Sequence, residues 1–216
     1  METNTCSDTL PLGIGWTPTL FDVEEVEADA AFAGTQRHEL RHDAWVDYTP
    51  EWLHGAASVF DDLVAHVPWQ HGRRLMYGRF VDEPRLHAHR REAVADCPVA
   101  RPVIDRMANL LSRRYGVALP NVGLNYYRGG DDSVAWHGDR IGRDLTRTTV
   151  AIVSVGGHRP FRLRPRDGGE TREFLVGGGD LLVMGGTCQH HWLHGVPKTK
   201  AAVGPRINLT FRNIIV

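Results

Sequence analysis

Two short segments carry side chains able to hold a divalent metal. In Trp136-His137-Gly138-Asp139-Arg140, His137 and Asp139 stand two residues apart, so on an extended strand both project to the same face. In Gln189-His190-His191-Trp192-Leu193-His194-Gly195-Val196-Pro197, three histidines fall within five positions. Two imidazoles and one carboxylate from separate strands make the facial arrangement of non-haem iron(II) chemistry, which leaves coordination positions open for oxygen and a co-substrate. Zinc sites use similar ligands, so the triad alone does not identify the metal. Taken singly, each segment also reads as an ordinary polar strand edge.

A third segment points to an anion. Across Pro205-Arg206-Ile207-Asn208-Leu209-Thr210-Phe211-Arg212, alternation puts Arg206, Asn208, Thr210 and Arg212 on one strand face and Ile207, Leu209 and Phe211 on the other. Asn125 and Tyr127 of Gly123-Leu124-Asn125-Tyr126-Tyr127 share a face in the same way. If the apolar faces pack outward against helices, two arginines point inward, where an uncompensated charge is very costly. A bound dicarboxylate would satisfy them, with Asn125 and Tyr127 as further donors. The alternative is that the polar face is simply the solvent face.

These strands need a scaffold, and 216 residues suffice for one compact domain with a substantial core. Hydrophobic content of 42% and charged content of 24% are those of soluble globular chains, and no apolar run approaches the ~20 residues of a membrane span. The opening METNTCSDTL has neither a basic start nor an apolar core, so no secretory signal is expected. Cys6, Cys97 and Cys188 are scattered and lack CxxC spacing, which excludes a disulfide framework and a zinc knot. Three free thiols in a reducing cytosol are expected, and with them a cytoplasmic monomer. The net charge of -1 hides an asymmetry: residues 1–108 carry 18 acidic against 10 basic side chains, and residues 109–216 carry 8 against 15, nearly all Arg. That half suits a polyanionic partner if a site calls for one; otherwise it is solvated surface charge.

Residues 1–20 are polar and punctuated by Pro and Gly, and read as a loose leader. Helical periodicity appears over 51–67, with Trp52, Ala56, Val59, Phe60, Leu63, Val64 and Val67 on one face. It recurs over 102–115, with Val103, Ile104, Met107, Leu110 and Leu111 on one face and Gly116 placed to end the helix. Between them, 73–91 reads as short strand and loop rich in Arg and His. From Asn121 onward short strands are predicted over 122–127, 134–137, 148–155, 161–164, 171–175, 180–184, 190–194 and 206–215, a spacing typical of a sandwich or jelly roll. Helices come first, with a β-core after them.

The ordered series Asn125-Tyr126-Tyr127, His137-Gly138-Asp139, Gly179-Asp180-Leu181-Leu182-Val183-Met184-Gly185, Trp192-Leu193-His194 and Arg206-Ile207-Asn208-Leu209-Thr210-Phe211-Arg212 resembles the AlkB family over residues 121–213. The resemblance implies an α+β chain with a double-stranded β-helix (jelly-roll) core over 121–216 and N-terminal helices packed outside it. Residues 21–120 would hold those helices and a nucleotide-recognition lid, all within one domain spanning 1–216. It implies iron(II) on His137, Asp139 and His194, and 2-oxoglutarate on Asn125, Tyr127, Arg206, Asn208 and Arg212. One arginine would pair with the distal carboxylate and the other would approach the carboxylate that chelates iron; Arg212 is also counted with His137, Asp139 and His194 among the catalytic residues. With O2, the implied activity is oxidative demethylation of N-alkylated nucleobases such as 1-methyladenine and 3-methylcytosine in DNA or RNA, releasing formaldehyde, succinate and CO2.

A base must leave its stack to reach such a pocket. Glu83-Pro84-Arg85-Leu86 resembles the Pro-Arg turn of the family's lid, with Arg85, His87 and His89 as nucleic-acid contacts and Arg140, Arg143, Arg147, Arg159, Arg162, Arg164 and Arg166 as a phosphate rim. The chain departs from its relatives twice. His87-Ala88-His89-Arg90 stands where they place aromatics, and Arg140-Ile141 stands where several carry an acidic residue. A 2-oxoglutarate oxygenase acting on a protein side chain or small molecule would share every core residue. A non-catalytic nucleic-acid module or a zinc hydrolase would leave the triad or the two arginines without a purpose.

Overall fold

The computed structural model describes residues 25–76, 78–89, 91–139 and 145–213. The first half of the chain runs β1 (Glu27–Ala28), β2 (Gln36–Leu40), β3 (Ala44–Thr49), β4 (Leu53–His54), α1 (Ala56–His66), β5 (Gln70–Met76), β6 (Arg79–His89) and α2 (Ala100–Tyr115). The second half runs β7 (Asn121–Tyr127), β8 (Val134–His137), β9 (Val150–Gly156), β10 (Arg159–Pro165), β11 (Arg172–Val176) and β12 (Asp180–Gly186). A helical turn α3 (Cys188–His191), β13 (Trp192–Val196) and β14 (Arg206–Arg212) complete it. An eight-stranded sheet in the order β2-β3-β12-β9-β14-β7-β6-β5 faces a four-stranded sheet in the order β11-β10-β13-β8; the described pairings are antiparallel. This is the sheet-rich jelly roll.

The central strands are covered on both faces. Ala151, Val153 and Val155 of β9, Leu181 and Val183 of β12, and Ile207, Leu209 and Phe211 of β14 form one core with the apolar stripes of α1 and α2. Val150 and Ile152, Leu182 and Met184 form a second core with Phe161, Leu163 and Trp192 of the smaller sheet. Each fully buried Leu or Val in these rows contributes ~1.5–3 kcal/mol relative to exposure. The helices therefore cover the outer face of the large sheet. The polar row of β14 is left facing inward, and the solvent-face alternative falls away.

Both helices lie where periodicity puts them, with shifted ends. α2 closes at Gly116 (φ 65°), whose N–H bonds to the carbonyl of Ser112. Its N-terminus is capped from α1, where Asp62 Oδ2 accepts from the N–H groups of Val99 (3.0 Å) and Ala100 (2.7 Å). Val64, assigned to the buried face of α1, is 38% exposed. No helix among the described residues is long and apolar enough to cross a membrane.

Two expectations need correction. The first half is not a helical layer preceding the β-core: β2, β3, β5 and β6 are strands of the large sheet, β3 pairing with β12 from the far end of the chain. The β2–β3 turn carries positive φ at His42 (67°) and Asp43 (56°) without the Gly or Asn that usually marks such a turn. Pro84 lies inside β6, where it masks a strand. Residues 190–194 are also not a continuous strand. Thr187 O accepts from the N–H groups of His190 and His191, so the histidine run begins as a helical turn and only Trp192–Val196 pairs in the sheet. The leader at 1–20 lies outside the described residues, as do 214–216.

Gly185 is paired across the strands with Trp45, and a Cβ there would fall 1.9 Å from Trp45 Cζ2. The indole cannot retreat easily: it stacks on Tyr115 with centroids 5.7 Å apart, and the Arg37 guanidinium lies 4.2 Å from its ring. Gly185→Ala should therefore destabilise the fold by ~1–3 kcal/mol, the usual cost of overpacking. A urea midpoint equal to that of the parent, at equal slope, would contradict this.

Candidate metal and co-substrate site

The triad is assembled by one strand pair and the loop that leaves it. β13 and β8 pair with His194 opposite His137, and their rings lie 4.3 Å apart. Asp139 follows two residues beyond. One ligand atom from each of His137, Asp139 and His194 lies within 4.8 Å of the others, the only such cluster of three among the described residues. His137 Nδ1 donates to its own strand at Ala135 O (2.9 Å), which fixes the tautomer and leaves Nε2 as the free ligand atom. Asp139 Oδ1 receives Arg212 Nη2 at 2.7 Å, while Oδ2 is buried without a partner and stands 3.9 Å from His194 Nε2. The His194 ring lies parallel to Phe161, with centroids 5.5 Å apart.

Burial holds both imidazoles neutral. It pushes His194 down to about 3, against a partial upward pull from Asp139, and lowers His137 as well. Neutral imidazoles and an ionised carboxylate are the protonation states a metal requires. An orphaned, buried carboxylate oxygen facing two such rings fits a cation, so the residues present suit a metal in the predicted place.

The predicted co-substrate residues form the inner wall beside the triad. β14 pairs with β7 so that Asn208 faces Asn125 and Arg206 faces Tyr127, and with β9 so that Asn208 faces Ser154. Asn125, Tyr127, Asn208 and Arg212 line, together with the triad, a cavity of about 280 Å³. Arg206 lies against Tyr127, its Cζ 5.6 Å from the ring centroid, and is fully buried. Its Nη2 donates to Ser154 Oγ (2.8 Å), which in turn donates to Asn208 Oδ1 (3.3 Å); Nε and Nη1 meet no partner. Burial drags this guanidinium down to about 10. Such a residue is a site for an anion.

The remaining predictions divide. Arg85, His87 and His89 are alternate residues on one face of β6, where His87 pairs opposite Asn125 and His89 opposite Gly123. Arg85 Nε donates to Asn125 Oδ1 (2.9 Å), and its Nη2 pairs with Glu83 (3.0 Å). It borders both the metal cavity and a neighbouring groove of about 450 Å³ between the β5–β6 hairpin and the edge strand β8. His87 and His89 have ring centroids 4.8 Å apart, and burial lowers His89. Arg164 is exposed on the outer face of the small sheet, 4.5 Å from the Trp136 ring. Arg159 is no rim residue. It is fully buried and donates to the carbonyls of Gly129, Asp132 and Pro197, tying two loops together. Arg140 and Arg143 lie outside the described residues. His190 and His191 point away from the triad, toward Leu145 O and the His42 ring respectively.

Sequence reasoning missed Ser154 and Gln189. A lone serine in the run Val150–Gly156 is a legible signal for an inward polar group. Gln189, buried and bonded through Oε1 to the N–H of Asp139 at 2.8 Å, looks in the sequence like any residue of a histidine-rich turn.

Comparisons agree with this geometry. The family model described as the 2OG-Fe(II) oxygenase superfamily matches residues 78–212. Alpha-ketoglutarate-dependent dioxygenase alkB homolog 3 of Bos taurus is 32% identical over 182 residues, covering 75% of this chain and 63% of that protein. DNA oxidative demethylase ALKBH2 of Arabidopsis thaliana is 29% identical over 218 residues, covering 82% of this chain and 68% of that protein. The chain thus spans about two thirds of the length of these relatives. A prolyl hydroxylase from Trichoplax adhaerens, solved with a hypoxia inducible factor peptide fragment, superposes with a TM-score of 0.54 at 16% identity over 73% of this chain and 76% of that one, a likeness of fold.

Two outcomes follow. His137→Ala, Asp139→Ala and His194→Ala should each abolish saturable Co(II) binding, whereas His190→Ala and His191→Ala should retain it. A silent His194 with an essential His191 would overturn the ligand assignment. In the metal-free protein, burial pushes His194 down to about 3 in the folded chain, below the ordinary imidazole value of 6.5 that applies to the unfolded one, so the unfolded chain binds the extra proton between those values. The contribution of His194 is full above about pH 6.5 and is lost as pH falls toward 3. Measured unfolding free energy should therefore fall less steeply across that window in His194→Gln than in the parent, and an identical slope would refute the burial effect.

Proposed function

We propose that this chain, which belongs to the 2OG-Fe(II) oxygenase superfamily and within it to the AlkB family, is an iron(II)- and 2-oxoglutarate-dependent dioxygenase that demethylates N-alkylated nucleobases in DNA. The observation that carries the reading is the pairing of a His-Asp-His cluster, half-buried at His137 and Asp139 and buried at His194, with a buried Arg206 on the same inner face that has two unpartnered nitrogens. A hydrolytic zinc site has no use for the second feature. The nucleobase substrate is supported by the relatives and by the groove beside the cavity, which opens onto His137 and is bordered by Arg85, Trp136, Arg162 and Lys198.

His137, Asp139 and His194 would hold the iron, and Asn125, Tyr127, Asn208, Arg206 and Arg212 the 2-oxoglutarate. Once bound, these groups with O2 supply the oxidation of an N-methyl to a hydroxymethyl group, which leaves as formaldehyde, with succinate and CO2 as coproducts. The protein's own residues position the reactants. Arg212 holds Asp139 by one oxygen and leaves the other free. Ser154 and Arg85 occupy the oxygens of Asn208 and Asn125, so both amides offer their NH2 ends to an acceptor-only ligand. Phe161, Ile152 and Val196 give the cavity its apolar wall, which limits water around the reacting groups. The base would enter unstacked from the groove, with Arg85 at the junction and the exposed arginines of the small sheet, Arg164 among them, near the strand's phosphates.

The test is formaldehyde release from an oligonucleotide carrying 1-methyladenine or 3-methylcytosine, beside 2-oxoglutarate turnover without a nucleic acid. Turnover with no formaldehyde from either lesion would redirect the substrate to a protein or small molecule. Arg206→Met should raise the 2-oxoglutarate KM by at least tenfold, since truncating one partner of a buried charge-assisted pair costs about 2–5 kcal/mol, and should leave oligonucleotide affinity near that of the parent. An unchanged KM would remove Arg206 from the co-substrate site.

A further inference from the structure

Of the three predicted ligands, Asp139 is held least by its own strand. His137 and His194 sit in a β ladder, whereas Asp139 lies beyond the end of β8, where no strand pairing fixes its backbone. Two contacts replace the ladder. Arg212 takes Oδ1, and the backbone N–H donates to Gln189 Oε1 at 2.8 Å. Gln189 is 3% exposed, and its Nε2 faces Met184 Sδ at 3.7 Å, a weak acceptor that completes the orientation of the amide. The carbonyl end is thereby directed at Asp139.

Gln189 can do this because its own platform is pinned. It rides on α3, whose preceding residue Thr187 donates through Oγ1 to His42 O and through N–H to Asp43 O (3.4 Å). Trp192, just past α3, donates Nε1 to Arg41 O at 3.2 Å, and His191 stacks on His42 with centroids 4.6 Å apart. The β2–β3 turn thus grips both ends of α3. At His42 and Asp43 the turn keeps the left-handed backbone, a conformation that persists in non-glycine residues where surrounding contacts enforce it. The chain from turn to α3 to Gln189 to Asp139 spans residues 41 to 189 and ends on a metal ligand.

We infer that Gln189 is a positioning residue for iron binding: it sets the peptide plane of Asp139 so that the unpaired Oδ2 faces His137 and His194. The inference rests on the metal reading above. A buried glutamine of merely structural value would affect stability when replaced, but not the affinity of the folded protein for a metal; a positioning residue affects the latter.

The experiment is a Co(II) titration of the full chain, read by visible absorption, with the urea midpoint of each metal-free variant measured in parallel. Gln189→Met keeps the length and removes the acceptor. Gln189→Glu keeps an acceptor oxygen in reach of the Asp139 N–H. Gln189→Met should weaken Co(II) affinity about 10–100-fold, the usual effect of losing a group that orients a ligand, and Gln189→Glu should recover most of it. His137→Ala marks the loss of the site itself. A Gln189→Met protein that titrates like the parent, while His137→Ala does not, overturns the positioning role and leaves the metal assignment standing. If Gln189→Met is too unstable to titrate, Gln189→Glu decides: near-parental affinity supports the role, and a folded but weak Gln189→Glu overturns it. A parent that binds no better than His137→Ala would overturn the metal reading and the positioning role together.

Discussion

The guanidinium of Arg206 is fully buried on β14 between β7 and β9, and two of its three nitrogens meet no protein partner. A full positive charge in that position is tolerable only if the rest of the molecule supplies its counterpart or admits one. The nearest described groups do not supply it. Ser154 accepts one N–H, Tyr127 presents its ring, Arg159 adds a second cation 5.9 Å from the same ring centroid, and Asp180 makes only the smallest contribution. Burial, not a partner, governs the titration of Arg206. The protein thus keeps a buried charge that its described neighbours satisfy only in part, beside the cavity that Tyr127 lines.

Much of the architecture can be understood as the means of keeping that row inward. A strand with a charged inner face stays in register only if its other face is strongly committed, because a slip of one residue would exchange the two. Ile207, Leu209 and Phe211 are each fully buried against the helices. The same commitment fixes β7 and β9, and with them the alignment of Asn125 and Ser154 on either side of Asn208. The small sheet then closes over this wall and brings His137 and His194 opposite each other. Arg212, the last member of the β14 row, bridges the two sheets by pairing with Asp139. The triad and the buried Arg206 are consequently linked through one polar row, with Arg212 at the triad end.

What could be read from the sequence is what depends on local periodicity. The alternation in Arg206–Arg212 and the helical stripes of α1 and α2 each have a fixed geometric consequence, which the structure realises apart from the exposed Val64; His137 and Asp139 do meet at the triad, although Asp139 lies beyond the end of β8 rather than on the strand. The choice of His194 over its two neighbours rested on resemblance, and the fold supplies the reason: α3 turns His190 and His191 outward before the strand begins. Features set by distant contacts were not legible. β2 and β3 are joined through a turn with no glycine, so nothing local announces a hairpin, and their place beside β12 depends on pairing across more than a hundred residues. The arginine content of the second half was a poor guide to its use, since Arg159 and Arg164 share the same strand and differ completely in environment.

The placement of β6 ties the groove to the cavity beside the triad. The Arg85 side chain forms one bond toward each, to Glu83 at the groove and to Asn125 in the cavity. Asn125 has one acceptor and two donors; with Arg85 on the acceptor, the donors are what remains for the cavity. Ser154 imposes the same choice on Asn208. Beside the triad the cavity wall therefore presents two amide NH2 groups and Arg212, with the Asp139 carboxylate beside the two imidazoles. Because that arrangement is completed from β6, the strand that borders the groove also sets, through Arg85, which end of the Asn125 amide faces the cavity.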